Sequence, residues 1–264
     1  MKNNRSVIQK RQTRLLHILA EQKDADVTQL AEILNVSPIT VRRDLDEMAS
    51  RGLVVRYFGG AKLAGSTAVD DESAYMETTI QNLSQKRAVA RRAAAMLEDG
   101  DTVFINSSST ALLIYPYIKD KHVLIVTNNG RSLTAPRAAG VELVLTGGEV
   151  FGNKHSLVGQ LSLEAISRVT STKCIIGVSG ISAEGGITTR VLQETSINQA
   201  MLRRCTGPKI VVTDSSKIGV QHNFNSGTVH DITHLITDTG ADRHAVDAIR
   251  SAGVEVILVE PTED

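Results

Sequence analysis

The chain has 264 residues, 41% hydrophobic and 22% charged, which supplies a sizeable core and room for one large domain or two smaller ones. Its apolar runs are only a few residues long, and no apolar stretch follows the basic start, so neither a membrane span nor a secretory signal is expected. Two cysteines, Cys174 and Cys205, stand outside any CxxC pair, exclude a disulfide framework, and read as buried free thiols of a cytoplasmic protein.

The net charge of zero conceals an asymmetry: residues 1–63 hold 11 Lys/Arg and 7 Asp/Glu, a balance of +4, leaving −4 for the remainder. A basic small part joined to an acidic large part suits a polyanion-binding module carried by something else. The first helix is expected over 6–21, with Ile8, Leu15, Leu16 and Leu19 inside and Arg5, Lys10, Arg11 and Arg14 outside for phosphates. Asp24-Ala25-Asp26 reads as a polar turn. Thr28 is the expected N-cap of a second helix to Leu34, its inner face made by Leu30, Ile33 and Leu34. Asn35-Val36 makes a tight corner. The next helix has both ends marked: Ser37 caps it, Pro38 fits its first turn, and Gly52 lies just beyond it. Val41, Leu45 and Met48 form its single apolar stripe, which leaves Ile39, Thr40, Arg42 and Arg43 facing outward. Such a pair is a helix-turn-helix, placed at about 25–44, whose second helix enters the major groove. Residues 53–58, a Gly59-Gly60 turn and 61–63 read as a hairpin, or wing, with Arg56, Tyr57 and Lys62 available to sugar and phosphate. A solvated surface or a protein contact would use the same residue types.

Residues 64–83 read as a linker, beginning with the small, polar Ala64-Gly65-Ser66-Thr67-Ala68 and containing a short helix near 72–80. From Ser84, expected to cap a helix to 98 with Lys86, Arg87, Arg91 and Arg92 outward, the pattern alternates. Strands are expected at 102–105, 123–126, 141–145, 174–177, 210–213, 234–237 and 254–259. Helices are expected at 110–118, 132–139, 161–168, 191–203 and 242–251. Continuous apolar strands each followed by a helix give an α/β domain with a mostly parallel sheet covered on both faces.

Ligands of such sheets sit beyond the carboxyl ends of the strands. The loops there carry Asn106, Ser107, Ser108, Ser109 and Thr110, then Thr127 and Asn128, then Gly147 and Gly148, then Ser179 and Gly180, and finally Lys217 after Asp214. Hydroxyls, amides and an ammonium suit a polyhydroxy compound carrying phosphate. GxGxxG, Walker A and GxSxG motifs are absent, and the seven histidines lack metal-ligand spacing, so neither a metal nor a cofactor is expected.

The run Arg11-Gln12, Leu30-Ala31-Glu32, Val36-Ser37, Thr40-Val41-Arg42-Arg43-Asp44-Leu45, Gly52, Arg56 and Gly59-Gly60 resembles the N-terminal domain of the DeoR family of bacterial transcription regulators. Thr146-Gly147-Gly148, Leu157-Val158-Gly159, Gly177, Gly180-Ile181, Gly186-Ile187-Thr188-Thr189, Glu194 and Asp214-Ser215-Ser216-Lys217 resemble that family's C-terminal sensor domain. The resemblance spans about 5–260. It implies a winged helix-turn-helix at 1–63, a linker at 64–83, and at 84–264 a sensor domain similar in fold to ribose-5-phosphate isomerase and glucosamine-6-phosphate deaminase. It also implies operator DNA and a phosphorylated sugar or sugar acid as partners, in a cytoplasmic homo-oligomer. The residues expected at DNA are Thr28, Ser37, Pro38, Ile39, Thr40, Arg42, Arg43, Arg56, Tyr57, Gly59 and Lys62.

Two departures stand out. Many relatives have an acid where Asn106 opens its loop and another where Ser179 stands. Losing two carboxylates suits a more anionic ligand. It also argues against the rival reading, a sugar-phosphate isomerase or deaminase with an appended DNA-binding module. Such chemistry needs a carboxylate base, for which the loops offer Glu149, Glu184, Glu194 and Asp214.

Overall fold

A computed structural model describes residues 11–16, 18–19, 24–50, 53–57, 60–63, 81–152 and 154–261. The chain divides into two compact units, 1–77 and 78–264. The expected linker falls almost wholly on residues outside those described.

In the first unit, helix α1 is seen at 11–16 and 18–19, followed by strand β1 (Asp24–Asp26), helices α2 (Val27–Leu34) and α3 (Pro38–Ser50), and strands β2 (Val54–Tyr57) and β3 (Gly60–Leu63). The three strands form an antiparallel sheet in the order β1-β3-β2. Val41, Leu45 and Met48 are fully buried together with Leu15, Leu19 and Leu30. Burial of each such side chain contributes about 1.5–3 kcal/mol, so the α3 stripe alone fixes which face of that helix turns outward.

Three local expectations are corrected. Asp24–Asp26 is a strand, because Ala25 is buried opposite Ala61 while the aspartates flank it. Asp26, and not Thr28, caps α2: its carboxylate accepts the backbone N–H groups of Thr28 at 2.6 Å and Gln29 at 3.1 Å. Ile33 is exposed, because the α2 core stripe runs through Val27, Leu30 and Ala31. The corner at Asn35 is left-handed (φ 51°), a conformation asparagine tolerates better than most residues.

The second unit is built on seven parallel strands: β4 (Thr102–Ile105), β5 (Val123–Thr127), β6 (Val141–Leu145), β9 (Lys173–Gly177), β12 (Lys209–Val212), β14 (His234–Asp238) and β15 (Glu255–Val259). Their order is β15-β14-β12-β9-β4-β5-β6. One apolar cluster, with Phe104, Val126, Ile176 and Val211, packs on one face; another, with Val103, Ile105, Ile125 and Val212, packs on the opposite face. Strand residues of alternate parity feed the two clusters, so the sheet is covered on both sides. Helices α4 (Leu83–Ala95), α5 (Ser109–Leu112), α6 (Gln160–Ser167), α7 (Leu192–Arg203) and α8 (Arg243–Ser251) link or follow the strands. Two smaller sheets escaped the sequence reading: the hairpin of β7 (Glu149–Phe151) and β8 (Ser156–Val158), and the antiparallel β10 (Gly180–Ser182), β11 (Gly186–Thr189) and β13 (Phe224–Gly227).

Proline and turn geometry account for two shortened helices. The expected helix at 110–118 stops at Leu112 and resumes only as a 3₁₀ turn at Tyr115–Tyr117, where Pro116 supplies no N–H. The one expected at 132–139 reduces to a 3₁₀ turn at Gly130–Leu133, since Pro136 disfavours helical backbone before it. Ser84 is not a cap; α4 starts one residue earlier, after Asn82 in left-handed backbone. Among the described residues no helix is long and apolar enough to cross a membrane, and no group of three or more His, Cys, Asp or Glu could hold a metal ion. Cys174 and Cys205 are buried free thiols.

Candidate nucleic-acid interface and ligand cleft

The outer face of α3 is set by its own first turn. The Ser37 hydroxyl accepts the Thr40 N–H at 3.2 Å and lies 2.9 Å from the Thr40 hydroxyl, so the cap also orients Thr40. Ile39 is 74% exposed, an apolar side chain that packing within the unit does not explain, and Pro38, Arg42 and Arg43 are exposed beside it. Thr28 is exposed in the first turn of α2.

Other cations are committed to the fold. Arg11 pairs with the buried Asp44 at 2.5 Å, and Gln12 donates to Glu47 at 3.1 Å, which ties α1 to the flank of α3. The Arg11 guanidinium is held above its ordinary pKa, chiefly by the hydrogen bond it donates to Asp44. Arg11 is therefore a brace, where the sequence suggested a phosphate contact. Arg56 on β2 pairs with Asp46, which leaves it at the edge of the α3 face while also bracing the wing. Tyr57 and Lys62 lie on β2 and β3, opposite Gly60 and Val55; Gly59 falls outside the described residues.

In the second unit a cleft of about 260 Å³ opens beyond the carboxyl ends of β4, β9 and β12. It gathers Asn106, Ser107, Ser108, Ser109, Thr110, Ser179 and Lys217 of the expected set. Thr127, Asn128, Gly147, Gly148 and Gly180 do not line it. They hold the surroundings instead: the Thr127 hydroxyl accepts the Asn129 N–H at 3.1 Å, and the Asn128 amide donates to the Leu157 carbonyl at 3.1 Å. A Cβ at Gly148 would lie 2.4 Å from the Val158 carbonyl oxygen, and one at Gly180 2.4 Å from that of Val220, so both glycines permit close chain packing.

The cleft floor is rigid. Asn106 donates to the Gly177 carbonyl at 2.9 Å and to Asn198 at 3.0 Å, and its own oxygen accepts the Gly177 N–H at 2.9 Å, locking the end of β4 to the end of β9. Ser108 caps α5 by accepting the Thr110 N–H at 3.2 Å. It occupies the space a side chain at position 177 would need, because a Cβ on Gly177 would fall 1.8 Å from the Ser108 hydroxyl.

The charges include residues that the sequence reading missed. Lys86, Lys154, Arg190 and Lys217 line the cleft against only Glu194 and Asp214, a balance of four cations to two carboxylates, or +2. Lys86 was expected outward; it is 4% exposed, and burial lowers its pKa, opposed by Asp214 and assisted by Lys217. Its position on α4 four residues after Asn82, which hydrogen-bonds Asp214 at 2.9 Å, is a signal that only the sheet order makes readable. The carboxylates are already engaged. Glu194 accepts the hydroxyls of Ser107 at 3.3 Å, Ser156 at 2.9 Å and Thr189 at 3.1 Å, and Lys154 stands 3.5 Å away. Asp214 accepts from Asn82 and from both the N–H and the hydroxyl of Ser216. All three bonds to Asp214 fall on one of its oxygens, Oδ1. Glu149 and Glu184 do not line the cleft.

Comparison with known proteins covers both units. The model of the DeoR-like helix-turn-helix domain matches residues 11–67, and that of the DeoR C terminal sensor domain matches residues 81–239. The chain is 31% identical to the HTH-type transcriptional regulator GlpR of Haloferax volcanii, over 94% of this chain and 96% of that one. It is 27% identical to the HTH-type transcriptional regulator GolR of Listeria innocua, over 95% and 98%. It is also 27% identical to the glycerol-3-phosphate regulon repressor of Escherichia coli K12, over 85% and 88%. Among solved structures, ribose 5-phosphate isomerase A from Methanocaldococcus jannaschii aligns with 50% of this chain and 52% of its own at 14% identity and a TM-score of 0.37, too distant a likeness to bear on activity. With both units matched and a relative above 30% identity spanning nearly the whole of it, the chain belongs to the DeoR family of transcription regulators.

Proposed function

We propose that the chain is a cytoplasmic repressor of a carbohydrate-use operon, released from DNA by a phosphorylated sugar or sugar acid. The observation that carries the reading is the cleft: hydroxyl and amide groups with a charge balance of +2, in a chain whose other unit presents Ile39, Thr40, Arg42 and Arg43 on one helix face. In this reading Thr40, Arg42 and Arg43 read base edges in the major groove, and Ile39 offers an apolar contact to a thymine methyl. Ser37, Pro38, Thr28 and the wing residues Arg56, Tyr57, Gly59 and Lys62 fix position on the backbone. Two or more protomers bind half-sites about 34 Å apart or a multiple of it. The isomerase or deaminase reading is not retained, because the relatives matched over nearly the whole chain are named transcription regulators and repressors.

The test is a gel shift on the DNA upstream of the chain's own gene and its neighbours, with and without a panel of sugar phosphates. Arg43→Ala should weaken binding by about 1–3 kcal/mol and relax specificity, since a bidentate arginine–guanine contact is worth that much. Unchanged binding by Arg43→Ala would reject α3 as the reading helix, and no response to any phosphorylated sugar would reject the effector class.

A further inference from the structure

The charged groups of the cleft fall into two sets, one around Asp214 and one around Glu194. Asp214 and Lys217 follow β12, and Lys86 on α4 faces them. Lys154 lies in the turn between β7 and β8, 3.5 Å from Glu194. Arg190 adjoins Thr189, whose hydroxyl donates to that same carboxylate. The hairpin is rooted beside β5, through the bridge between Asn129 and Ser156. In the sheet, β9 and β4 stand between β12 and β5. Neighbouring strands lie about 4.8 Å apart, so the hairpin that carries Lys154 is rooted roughly 14 Å from β12, while Arg190 follows β11 of the smaller antiparallel sheet.

Each set holds two cations and one carboxylate, a balance of +1. Between them the lining is neutral and hydrogen-bonding, chiefly Asn106 and Ser107. A lone phosphate compensates one set and leaves the net charge of the other without a ligand partner. A chain of hydroxylated carbons with an anion at each end compensates both. Resting on the reading of this cleft as the effector site, we propose that it is built for a doubly anionic effector: a sugar phosphate whose far end carries a carboxylate or a second phosphate. One anion sits between Lys86 and Lys217 and the other between Lys154 and Arg190.

Isothermal titration of the full chain decides this, using the aldopentose 5-phosphates and aldohexose 6-phosphates, each paired with the aldonate of the same carbon skeleton. The best aldonate phosphate should bind at least tenfold tighter than its aldose partner. Lys154→Gln, and separately the exposed Arg190→Gln, should cut that preference below threefold. Lys217→Gln should weaken both members of the pair and leave their ratio above tenfold. Equal affinity within every pair, or a preference untouched by both Lys154→Gln and Arg190→Gln, overturns the two-anion proposal while the sugar-phosphate reading stands. No binding by any member of the panel overturns the sugar-phosphate reading itself.

Discussion

Lys86 places an ammonium group against the chain's own stability. Its side chain is buried on α4, and the loss of water around it lowers its pKa from the ordinary 10.5. The unfolded chain therefore holds that proton more tightly than the folded one. The resulting penalty is full at pH values below the folded pKa and fades as the pH climbs toward 10.5, so stability rises with pH in that window. Since desolvation outweighs the attraction of Asp214, an apolar side chain of similar shape removes a net penalty. Lys86→Met is accordingly expected to match the wild type at neutral pH or exceed it by about 1 kcal/mol, with the gap closing as the pH rises, in urea denaturation followed across pH. The same variant should lose about tenfold or more in effector affinity, because a hydrogen bond to a charged group is worth about 1.5–3 kcal/mol. A gap that stays constant with pH would show that Lys86 is solvated in the folded chain. This residue also marks a limit of sequence reading: on α4 it sits among Arg87, Arg91 and Arg92, and nothing local separates a cleft lysine from a solvated one.

At the scale of elements, α3 was legible because both its ends and its stripe are local signals. The parallel strands were legible because a strand buried on both faces is a continuous apolar run. Elements whose reason is tertiary were not. The β1 strand is two aspartates around one buried alanine, and only β3 makes it a strand. The β7–β8 hairpin begins with three exposed residues and carries no alternation, yet its turn brings Lys154 to the cleft. Lys86, Lys154 and Arg190 were missed for one reason: they come from a helix, a hairpin turn and the end of an antiparallel strand, and a search confined to the loops after parallel strands does not reach them. The α3 cap can be separated from its contact with DNA. Ser37→Ala removes the oxygen that accepts the Thr40 N–H and should cost about 1 kcal/mol of stability in the first unit. Ser37→Asp keeps a capping oxygen and favours the helix dipole, so it should melt like the wild type. Its carboxylate would nevertheless face phosphate, and operator affinity measured by fluorescence anisotropy should fall by about tenfold or more. Wild-type affinity in Ser37→Asp would place the start of α3 away from the DNA backbone.

For the whole molecule, the two units must exchange free energy if the effector controls DNA binding, and that exchange is symmetric whatever path carries it. A coupling of about 1–3 kcal/mol means that saturating effector weakens operator binding about 5–150-fold, and that operator DNA weakens effector binding by the same factor. The two halves of that cycle differ in their response to salt. Operator binding releases counterions from every phosphate contacted, with a slope of about −0.9 per contact in log affinity against log salt, whereas the effector meets only the few charges of the cleft. The coupling factor itself should therefore change little with salt even as operator affinity falls steeply. Both arms are measurable: anisotropy of labelled operator with and without effector, and calorimetric titration of effector into free and operator-bound protein. Lys217→Gln should reduce the factor seen at a fixed effector concentration in the anisotropy arm, because it weakens the ligand while α3, in the other unit, is left intact. If the two factors differ in the wild type, a single linked equilibrium is ruled out. A change of oligomeric state would then have to be counted as a third partner in the cycle, and its signature would be a factor that depends on protein concentration.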